Sequence, residues 1–188
     1  FSININNKSL FQLSVQRTKS LSSTDLVITC NADHEFIVLD QLRQINKDFS
    51  LIVEPVSRNT LATFCISALM HEPEDILLFL PSDHVIKDIR GFKKSINKAV
   101  NASKQDKIVC FGIKPNSPSV NFGYIKSGVR LGEAFKVHGF YEKPNITRAK
   151  KFIKDNTFFW NSGIFVIKAG FLVKELELHQ PALLKKIE

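Results

Sequence analysis

The chain has 188 residues, 44% of them hydrophobic, and 16 are phenylalanine. This apolar content is sufficient for one sizeable core, so we expect a single domain over residues 1–188, and it excludes a low-complexity disordered chain. The formal net charge of +8 favours anionic partners, either small phosphorylated molecules or nucleic acid.

Strand-like and helix-like segments alternate in the first part of the chain. Short continuous apolar runs are typical of strands that are buried on both faces of a sheet. Helical spacing is seen over about residues 33–46, from Asn59 onward through Leu61, Phe64, Ile66 and Leu69, and through Phe92, Ile96, Ala99 and Val100. The predicted strands are Leu26–Cys30, Ser50–Glu54, Ile76–Leu80 and Lys107–Ile113.

The pattern changes after Pro115, where shorter apolar segments predict strands with some antiparallel pairing. The predicted strands are Tyr124-Ile125, Phe135–Val137, Phe140–Lys143 and Gly163–Ile167, and the predicted helices are Thr147–Lys154 and Phe171–Leu178. Strand and helix alternate with short connections over most of the chain. This order predicts an α/β fold, with a mostly parallel sheet and helices on both of its faces.

Asp83 is the first candidate for a functional residue. Ligands of open α/β sheets bind beyond the carboxyl ends of the strands. Asp83 lies in Pro81-Ser82-Asp83-His84, directly after the clearest predicted strand. A carboxylate at this place is suited to holding Mg²⁺ against phosphate oxygens. The alternative is an aspartate that only caps a turn or the next helix.

A second candidate segment joins the strand that ends at Glu54 to the helix that begins at Asn59. The first turn of a helix has free backbone N–H groups, and Arg58 and Asn59 are able to bind a base or an anion. An N-cap with a solvent-exposed arginine explains the same residues equally well.

Three more segments follow in the second half of the chain. Glu142 and Lys143 bring a carboxylate and an ammonium group to a predicted strand end before a proline, which would suit a sugar phosphate. A surface charge pair is the more common explanation. Phe122-Gly123-Tyr124 and Trp160-Asn161-Ser162-Gly163 each have a glycine beside aromatic residues, and glycine lets a backbone approach a ligand closely. A turn over the core is the alternative.

The order of these segments along the chain resembles the sugar-nucleotide pyrophosphorylases, and within them the bacterial mannose-1-phosphate guanylyltransferases. The matching segments are Ile-Val-Glu-Pro-x-x-Arg-Asn-Thr, Leu-Pro-Ser-Asp-His-Val-Ile, Phe-Gly-Ile-x-Pro, Phe-Gly-Tyr-Ile, Phe-Tyr-Glu-Lys-Pro and Phe-Trp-Asn-Ser-Gly-Ile-Phe. The resemblance implies the Rossmann-like nucleotide-diphospho-sugar transferase fold. It also implies GTP and mannose 1-phosphate as substrates, GDP-mannose and pyrophosphate as products, and Mg²⁺ as cofactor.

The resemblance implies roles for the matching residues. Asp83 and Lys143 would be the catalytic residues, with Asp83 binding Mg²⁺ and Lys143 contacting the sugar phosphate. Glu142 would accept hydrogen bonds from sugar hydroxyls, and we expect Asp83, Glu142 and Lys143 to face one cleft. The other implied contacts are those of the guanine base, with Glu54, Arg58, Asn59 and Thr60, and those of the sugar, with Gly123, Tyr124 and Asn161.

The resemblance also implies what this chain lacks. Phe1 aligns just after the start of the family's sequence, so we expect the first strand and the Gly-rich triphosphate loop to be absent. On this alignment the chain as given would make little or no GDP-mannose. The strands Leu26–Cys30 and Ile76–Leu80 would face a gap, and the chain would be marginally stable or prone to associate through these edges.

Other interpretations stay open at this point. A thymidylyl- or cytidylyltransferase would keep the fold, and a non-catalytic sugar-nucleotide-binding remnant would explain an absent loop. Scattered lysines without interleaved aromatic residues argue against nucleic acid, and the lack of long apolar runs argues against a membrane partner. Cys30, Cys65 and Cys110 share no metal-ligand spacing, so we predict buried free thiols in a cytoplasmic protein. Whether the chain forms a homo-oligomer is left open.

Overall fold

The structure is a computed structural model that describes residues 4–5, 7–18, 21, 26–45, 48–54 and 60–185. Its strands are β1 Asn4–Ile5, β2 Lys8–Ser9, β3 Val27–Asn31, β4 Ser50–Glu54, β5 Ile76–Phe79, β6 Val109–Ile113, β7 Tyr124–Leu131, β8 Ala134–Tyr141 and β9 Phe158–Lys168. Its helices are α1 Leu10–Thr18, α2 Glu35–Arg43, α3 Thr60–Leu69, α4 Ile89–Ser103, α5 Ile146–Phe152, α6 Ala169–His179 and α7 Pro181–Leu184, and a 3₁₀ turn over Ala32–His34 precedes α2. The predicted α/β class is therefore confirmed.

The chain divides into two compact units. The first unit comprises Phe1–Ile108 and Val166–Glu188, and the second comprises Val109–Phe165. Strand β9 contributes residues to both units, since its last residues belong to the first. Among the described residues, no helix has both the length and the apolar character that crossing a membrane requires.

The first unit contains the parallel pair β3–β4, whose register places Asn31 opposite Glu54 at the carboxyl ends of the two strands. Helices α1 and α2 pack against this pair. Strand β5 neighbours β9 in the sheet order. The main core cluster of the unit joins α1, β3 and α2 through Phe11, Val15, Ile28, Val38, Leu42 and Ile45.

Helix α1 is an element that the sequence patterns did not predict. Its inner face includes polar side chains, because Gln12, Ser14 and Arg17 are each no more than 7% exposed. These buried polar residues interrupt the apolar spacing from which a helix is normally recognised. The segment therefore shows no clear helical period.

A cavity of about 130 Å³ lies within the first unit, between strands β3 and β5. Helix α1 and residues next to the two strands contribute the rest of the lining. The lining residues are Phe11, Ser14, Val15, Thr18, Leu26, Val27, Ile28, Thr29, Leu78, Leu80 and Ser82. The two strands that the sequence expectation placed beside a gap thus line one cavity.

The second unit is built on antiparallel pairing of β7 with both β8 and β9. Strand β6 also pairs with β9. The predicted strands Phe135–Val137 and Phe140–Lys143 are one strand, β8, which ends at Tyr141, so Glu142 and Lys143 lie just beyond it. The core cluster of this unit is formed by Tyr124, Ala149 and Phe158, with Tyr141, Phe152, Ile153 and Trp160 packed against it.

Two predictions for helices were wrong in detail. Helix α3 buries Cys65, Ser67 and Ala68, whereas Leu61 and Leu69 of its predicted apolar face are each 38% exposed. Helix α3 therefore turns its small side chains, and not these leucines, toward the interior. The short helix α7 follows Pro181, where the sequence analysis ended the last helix.

Candidate functional site

The register of the second unit brings three predicted sugar-binding residues together. Tyr124 of β7 lies opposite Tyr141 of β8 and opposite Trp160 of β9. Directly opposed residues share one face of a sheet, and the next residue along each strand points to the other face. Gly123, Glu142 and Asn161 therefore lie beside one another on the opposite face.

Short contacts connect these three residues. The backbone N–H of Asn161 donates to the carbonyl oxygen of Gly123 over 2.8 Å. A Cβ atom at Gly123 would lie 3.0 Å from Oε2 of Glu142 and 3.2 Å from Cζ of Phe140. Any side chain at position 123 would thus fill the space beside the carboxylate, and only glycine leaves it open.

The Tyr124 side chain is used within the fold. It is 0% exposed. Its hydroxyl donates to the carbonyl oxygen of Ser119 over 3.1 Å and accepts from the backbone N–H of Ser119 over 3.0 Å. The Tyr124 ring therefore positions the loop that leads to Gly123, and the sequence indicated the residue without indicating this anchoring.

The side-chain oxygen of Asn161 makes a hydrogen bond within the fold. Its Oδ1 accepts from the backbone N–H of Gly163 over 3.2 Å, and Gly163 has a positive φ of 72°. This turn within β9 holds the asparagine side chain in place. The amide NH₂ group has two donors that are able to serve a ligand.

Glu142 and Lys143 form an exposed pair of opposite charge. Oε1 of Glu142 lies 3.8 Å from Nζ of Lys143, and the side chains are 62% and 66% exposed. Lys143 has a φ of 33°, which is unusual for a residue with a side chain. The positive φ turns the chain directly after β8 and lets adjacent residues present their charges side by side.

Asp83 lies in the first unit, on the loop that follows β5. Its side chain is 80% exposed, and its Oδ1 lies 3.9 Å from Nε2 of His84. Helix α1 holds the loop on both sides of Asp83. Ser14 Oγ donates to the carbonyl oxygen of Pro81 over 3.3 Å, and Arg17 Nη2 donates to that of His84 over 2.7 Å.

Arg17 is a residue that sequence reasoning missed. It is 6% exposed, and its guanidinium carbon lies 5.8 Å from the ring centre of Phe92. Burial lowers the pKa of Arg17 from its ordinary value. No local pattern distinguishes a buried arginine from the many exposed basic residues of this chain, so only the packing of α1 reveals its role.

The predicted base-binding segment is partly described. Oε1 of Glu54 accepts from Oγ1 of Thr63 over 3.1 Å, at the carboxyl end of β4. Thr60 is exposed at the start of α3. Arg58 and Asn59 lie outside the described residues. The expectation that Asp83 shares a cleft with Glu142 and Lys143 stays a prediction.

The Asp83 carboxylate is the predicted ligand of Mg²⁺. It is exposed on a held loop, and Mg²⁺ is commonly bound by one or two carboxylates together with substrate phosphates. In the described part of the chain, no group of three or more His, Cys, Asp or Glu side chains could hold a metal ion. Asp83 would therefore need ligands from a phosphate substrate to complete the coordination of an ion, and the Mg²⁺ site stays a prediction.

The cysteines are free, as predicted. Cys65 is fully buried, whereas Cys30 and Cys110 are partly buried, so burial was predicted correctly for one of the three. Burial raises the pKa of each of the three thiols. This keeps them in the less reactive protonated form.

The chain is similar over most of its length to known proteins. Residues 2–188 match the family described as nucleotidyl transferase. A mannose-1-phosphate guanylyltransferase of Escherichia coli is 37% identical over 188 residues, which cover 94% of this chain and 40% of that protein. The xanthan biosynthesis protein XanB of Xanthomonas campestris pv. campestris is 35% identical over 183 residues, covering 95% of this chain and 39% of that protein.

A solved structure shows the same fold. The crystal structure of mannose-6-phosphate isomerase from Helicobacter pylori superposes with a TM-score of 0.89 at 36% identity, covering 98% of this chain and 71% of that chain. The chain spans about 40% of the length of the curated relatives it matches.

Proposed function

The chain belongs to the nucleotidyl transferase family, and from this premise we propose that it is the sugar- and base-binding part of a mannose-1-phosphate guanylyltransferase. In this reaction a phosphate oxygen of mannose 1-phosphate attacks the α-phosphorus of GTP. The new P–O bond forms as the bond between the α-phosphorus and the bridging oxygen of the β-phosphate breaks. The products are GDP-mannose and pyrophosphate.

The observation that carries the proposal is the grouping of Gly123, Glu142 and Asn161 on one face of the second unit, beside Lys143. A carboxylate accepts hydrogen bonds from sugar hydroxyls, and an amide donates to them. The Lys143 ammonium, 3.8 Å from Glu142, supplies the charge that a phosphate needs. Backbone exposed at Gly123 lets a ligand approach closely. Together these groups match the parts of a hexose phosphate.

The first unit supplies the groups proposed for the nucleotide. Glu54 lies at the carboxyl end of a parallel strand, where α/β folds bind ligands, and Thr60 begins the following helix. With Arg58 and Asn59 they are proposed to contact the guanine base. Asp83 is proposed to bind Mg²⁺, which when bound would neutralise charge on the phosphates. Arg17 and Ser14 hold the loop that presents this carboxylate.

This chemistry depends on positioning rather than on a covalent intermediate. Phosphoryl transfer is catalysed mainly by alignment of the attacking and leaving oxygens and by neutralisation of charge. Lys143 and Asp83 are the two groups proposed to touch the reacting phosphates, so they are the proposed catalytic residues. Glu142 and Asn161 orient the sugar.

The names of the relatives suggest which ligands distinguish the proposal from its alternatives. The Escherichia coli relative is named for mannose 1-phosphate, and the Helicobacter pylori structure for mannose 6-phosphate. We therefore propose to titrate the chain, with Mg²⁺ present, with GTP, dTTP and CTP, and separately with mannose 1-phosphate, mannose 6-phosphate and glucose 1-phosphate. Differential scanning fluorimetry and calorimetry would report binding.

We expect GTP and mannose 1-phosphate to bind most tightly in their sets. Lys143→Gln should weaken mannose 1-phosphate binding roughly tenfold, because a hydrogen bond to a charged group is lost. Lys136→Gln changes an exposed lysine within β8 and should leave binding unchanged. A preference for dTTP or CTP, or for mannose 6-phosphate, would contradict the proposal. Failure of every nucleotide to bind would favour a non-catalytic role.

A further inference from the structure

Phe140 has an exposed ring beside the candidate sugar-binding residues. Its exposed fraction is 50%, although it lies within strand β8. The register places Phe140 opposite Ile125 of β7. Since side chains alternate along a strand, Phe140 lies on the same face as Glu142, two residues further on.

Contacts at Gly123 define a niche with two different walls. A Cβ atom at Gly123 would lie 3.2 Å from Cζ of Phe140 and 3.0 Å from Oε2 of Glu142. The ring and the carboxylate therefore flank one spot of bare backbone. We call Gly123, Phe140 and Glu142 the Gly123 niche.

Other exposed phenylalanines of the second unit lie in different surroundings. Phe122 is 47% exposed, and its ring packs 5.0 Å from that of Trp160. Phe135 is 54% exposed and lies near the start of β8, opposite Arg130. Phe140 is thus the one of these three whose ring borders Gly123 and Glu142.

The chemistry of the niche matches a pyranose ring. A hexose has hydroxyls around its edge and C–H groups on its faces. An aromatic ring packs against C–H groups and removes them from water, and an adjacent carboxylate accepts hydrogen bonds from the hydroxyls. An axial hydroxyl pressed against the ring would lose its water without gaining a partner, which is unfavourable. The 2-hydroxyl of mannose is axial, so the ring would pack against the opposite face of the sugar, where the C–H groups at C3 and C5 lie.

We propose that Phe140 binds the sugar by stacking against the C–H face of the hexose phosphate. This inference rests on the proposed function, because it assumes that the Glu142–Lys143 site binds a sugar phosphate. A nucleobase would also stack on a phenyl ring. The carboxylate beside the ring and the ammonium 3.8 Å from that carboxylate fit hydroxyls and a phosphate, which favours the sugar phosphate.

The test compares Phe140→Leu with the matched control Phe135→Leu in the full chain. Both changes remove one exposed ring from the same strand and keep an apolar side chain. Saturation-transfer NMR with mannose 1-phosphate, glucose 1-phosphate and GTP would identify the ligand protons that contact the protein. Titration calorimetry would give the affinities of these ligands and of inorganic phosphate. Equal melting temperatures of the two variants would show that both are folded.

We expect Phe140→Leu to weaken mannose 1-phosphate binding roughly tenfold and to reduce saturation of its ring C–H protons. Inorganic phosphate binding should not change, and Phe135→Leu should behave as the wild type. Unchanged binding and saturation in Phe140→Leu would overturn the inference while leaving the proposed function intact. So would an effect on GTP in place of the sugar phosphates.

The same measurements test the proposed function independently of the role of Phe140. If the wild type prefers glucose 1-phosphate and Phe140→Leu weakens that binding, the mannose assignment is wrong and the role of Phe140 stands. If the wild type binds no sugar phosphate, both proposals are overturned.

Discussion

At the scale of single residues, the positive φ of Lys143 should lower the stability of the folded chain. Its φ of 33° lies in the left-handed region, which costs a residue with a Cβ about 1–2 kcal/mol. Lys143→Gly and Lys143→Ala both remove the ammonium group, but only glycine relieves the backbone. We expect Lys143→Gly to be about 1 kcal/mol more stable than Lys143→Ala in urea unfolding.

A matched pair of substitutions controls for the greater freedom of glycine in the unfolded chain. The same Gly and Ala changes at the exposed Lys94, in the middle of helix α4, should show the opposite order. If Lys143→Ala is the more stable of the two variants at position 143, the positive φ does not strain this residue.

Lys168 forms ion pairs with two exposed carboxylates, Glu74 and Asp106, and their contribution to stability should depend on pH. Its side chain is 18% exposed, and Nζ lies 2.9 Å from Oε1 of Glu74 and 3.6 Å from Oδ1 of Asp106. The hydrogen bond to Glu74 is the main reason that the pKa of Lys168 is raised above its ordinary value. The stabilisation is therefore complete below the pKa of an unfolded lysine and is lost as pH rises through the folded pKa.

We expect Lys168→Gln to lower the melting temperature at neutral pH. The difference from the wild type should shrink once the pH exceeds the ordinary lysine pKa of about 10.4. Lys94→Gln, at an exposed position of α4, should change little at any pH. A Lys168→Gln deficit that is as large in strong alkali as at neutral pH would mean that packing, not charge, stabilises this position.

At the scale of elements, each of strands β3 and β5 neighbours one strand among the residues that the structure describes. In the described part of the chain, β3 pairs with β4, and β5 neighbours β9. Both strands line the cavity of about 130 Å³. Unpaired strand edges are templates for pairing with another chain. We expect the 188-residue chain to associate as its concentration rises, as sedimentation velocity would show.

A charge on an edge strand disfavours such pairing. Thr29→Lys places a charge on β3 beside the cavity and should shift the chain toward monomer, whereas Ser95→Lys on the exposed face of helix α4 should not. A monomer at all concentrations for the wild type would contradict the expectation that these edges associate.

At the scale of the whole molecule, the two compact units raise the question of whether they unfold together. Strand β9 contributes residues to both, so unfolding of either unit removes part of a strand from the other. We therefore expect one cooperative transition. This agrees with the single domain that the sequence predicts.

Two signals report on different units, which makes the test direct. Trp160, the chain's only tryptophan, lies in the second unit, whereas most described helices lie in the first. Tryptophan fluorescence and far-ultraviolet circular dichroism should therefore give coincident denaturant transitions if unfolding is two-state. Separate midpoints would show that the units are independent domains.

Much of the fold could be predicted because its signals are local. The strand Ser50–Glu54 has its predicted bounds, since a continuous apolar run suits a strand in a parallel pair. Helix α4 buries Phe92, Ile96 and Ala99 as its spacing predicts. Local patterns failed where the interior is polar or the strand is exposed. Buried Arg17 obscured helix α1, and exposure along most of β8 made one strand resemble two.

The candidate site, like the fold, was predicted from the sequence only in part. Motifs in the chain identified Asp83, Glu142 and Lys143 as chemically suitable residues and pointed correctly to the family. Their surroundings depend on pairing between strands that are distant in sequence. Antiparallel register, which no single segment encodes, brings Gly123 and Asn161 to Glu142 and turns the ring of Phe140 toward the same spot.

Residue types and their spacing thus determined the α/β class, the family and most of the residues proposed to act, because periodicity and motifs are properties of short segments. Tertiary structure alone decided that α1 holds the Asp83 loop, that the Tyr124 hydroxyl is used by Ser119, and that Gly123 leaves a niche. The reason is physical. Burial, hydrogen-bond partners and shared faces result from packing between segments, and each depends on all the others.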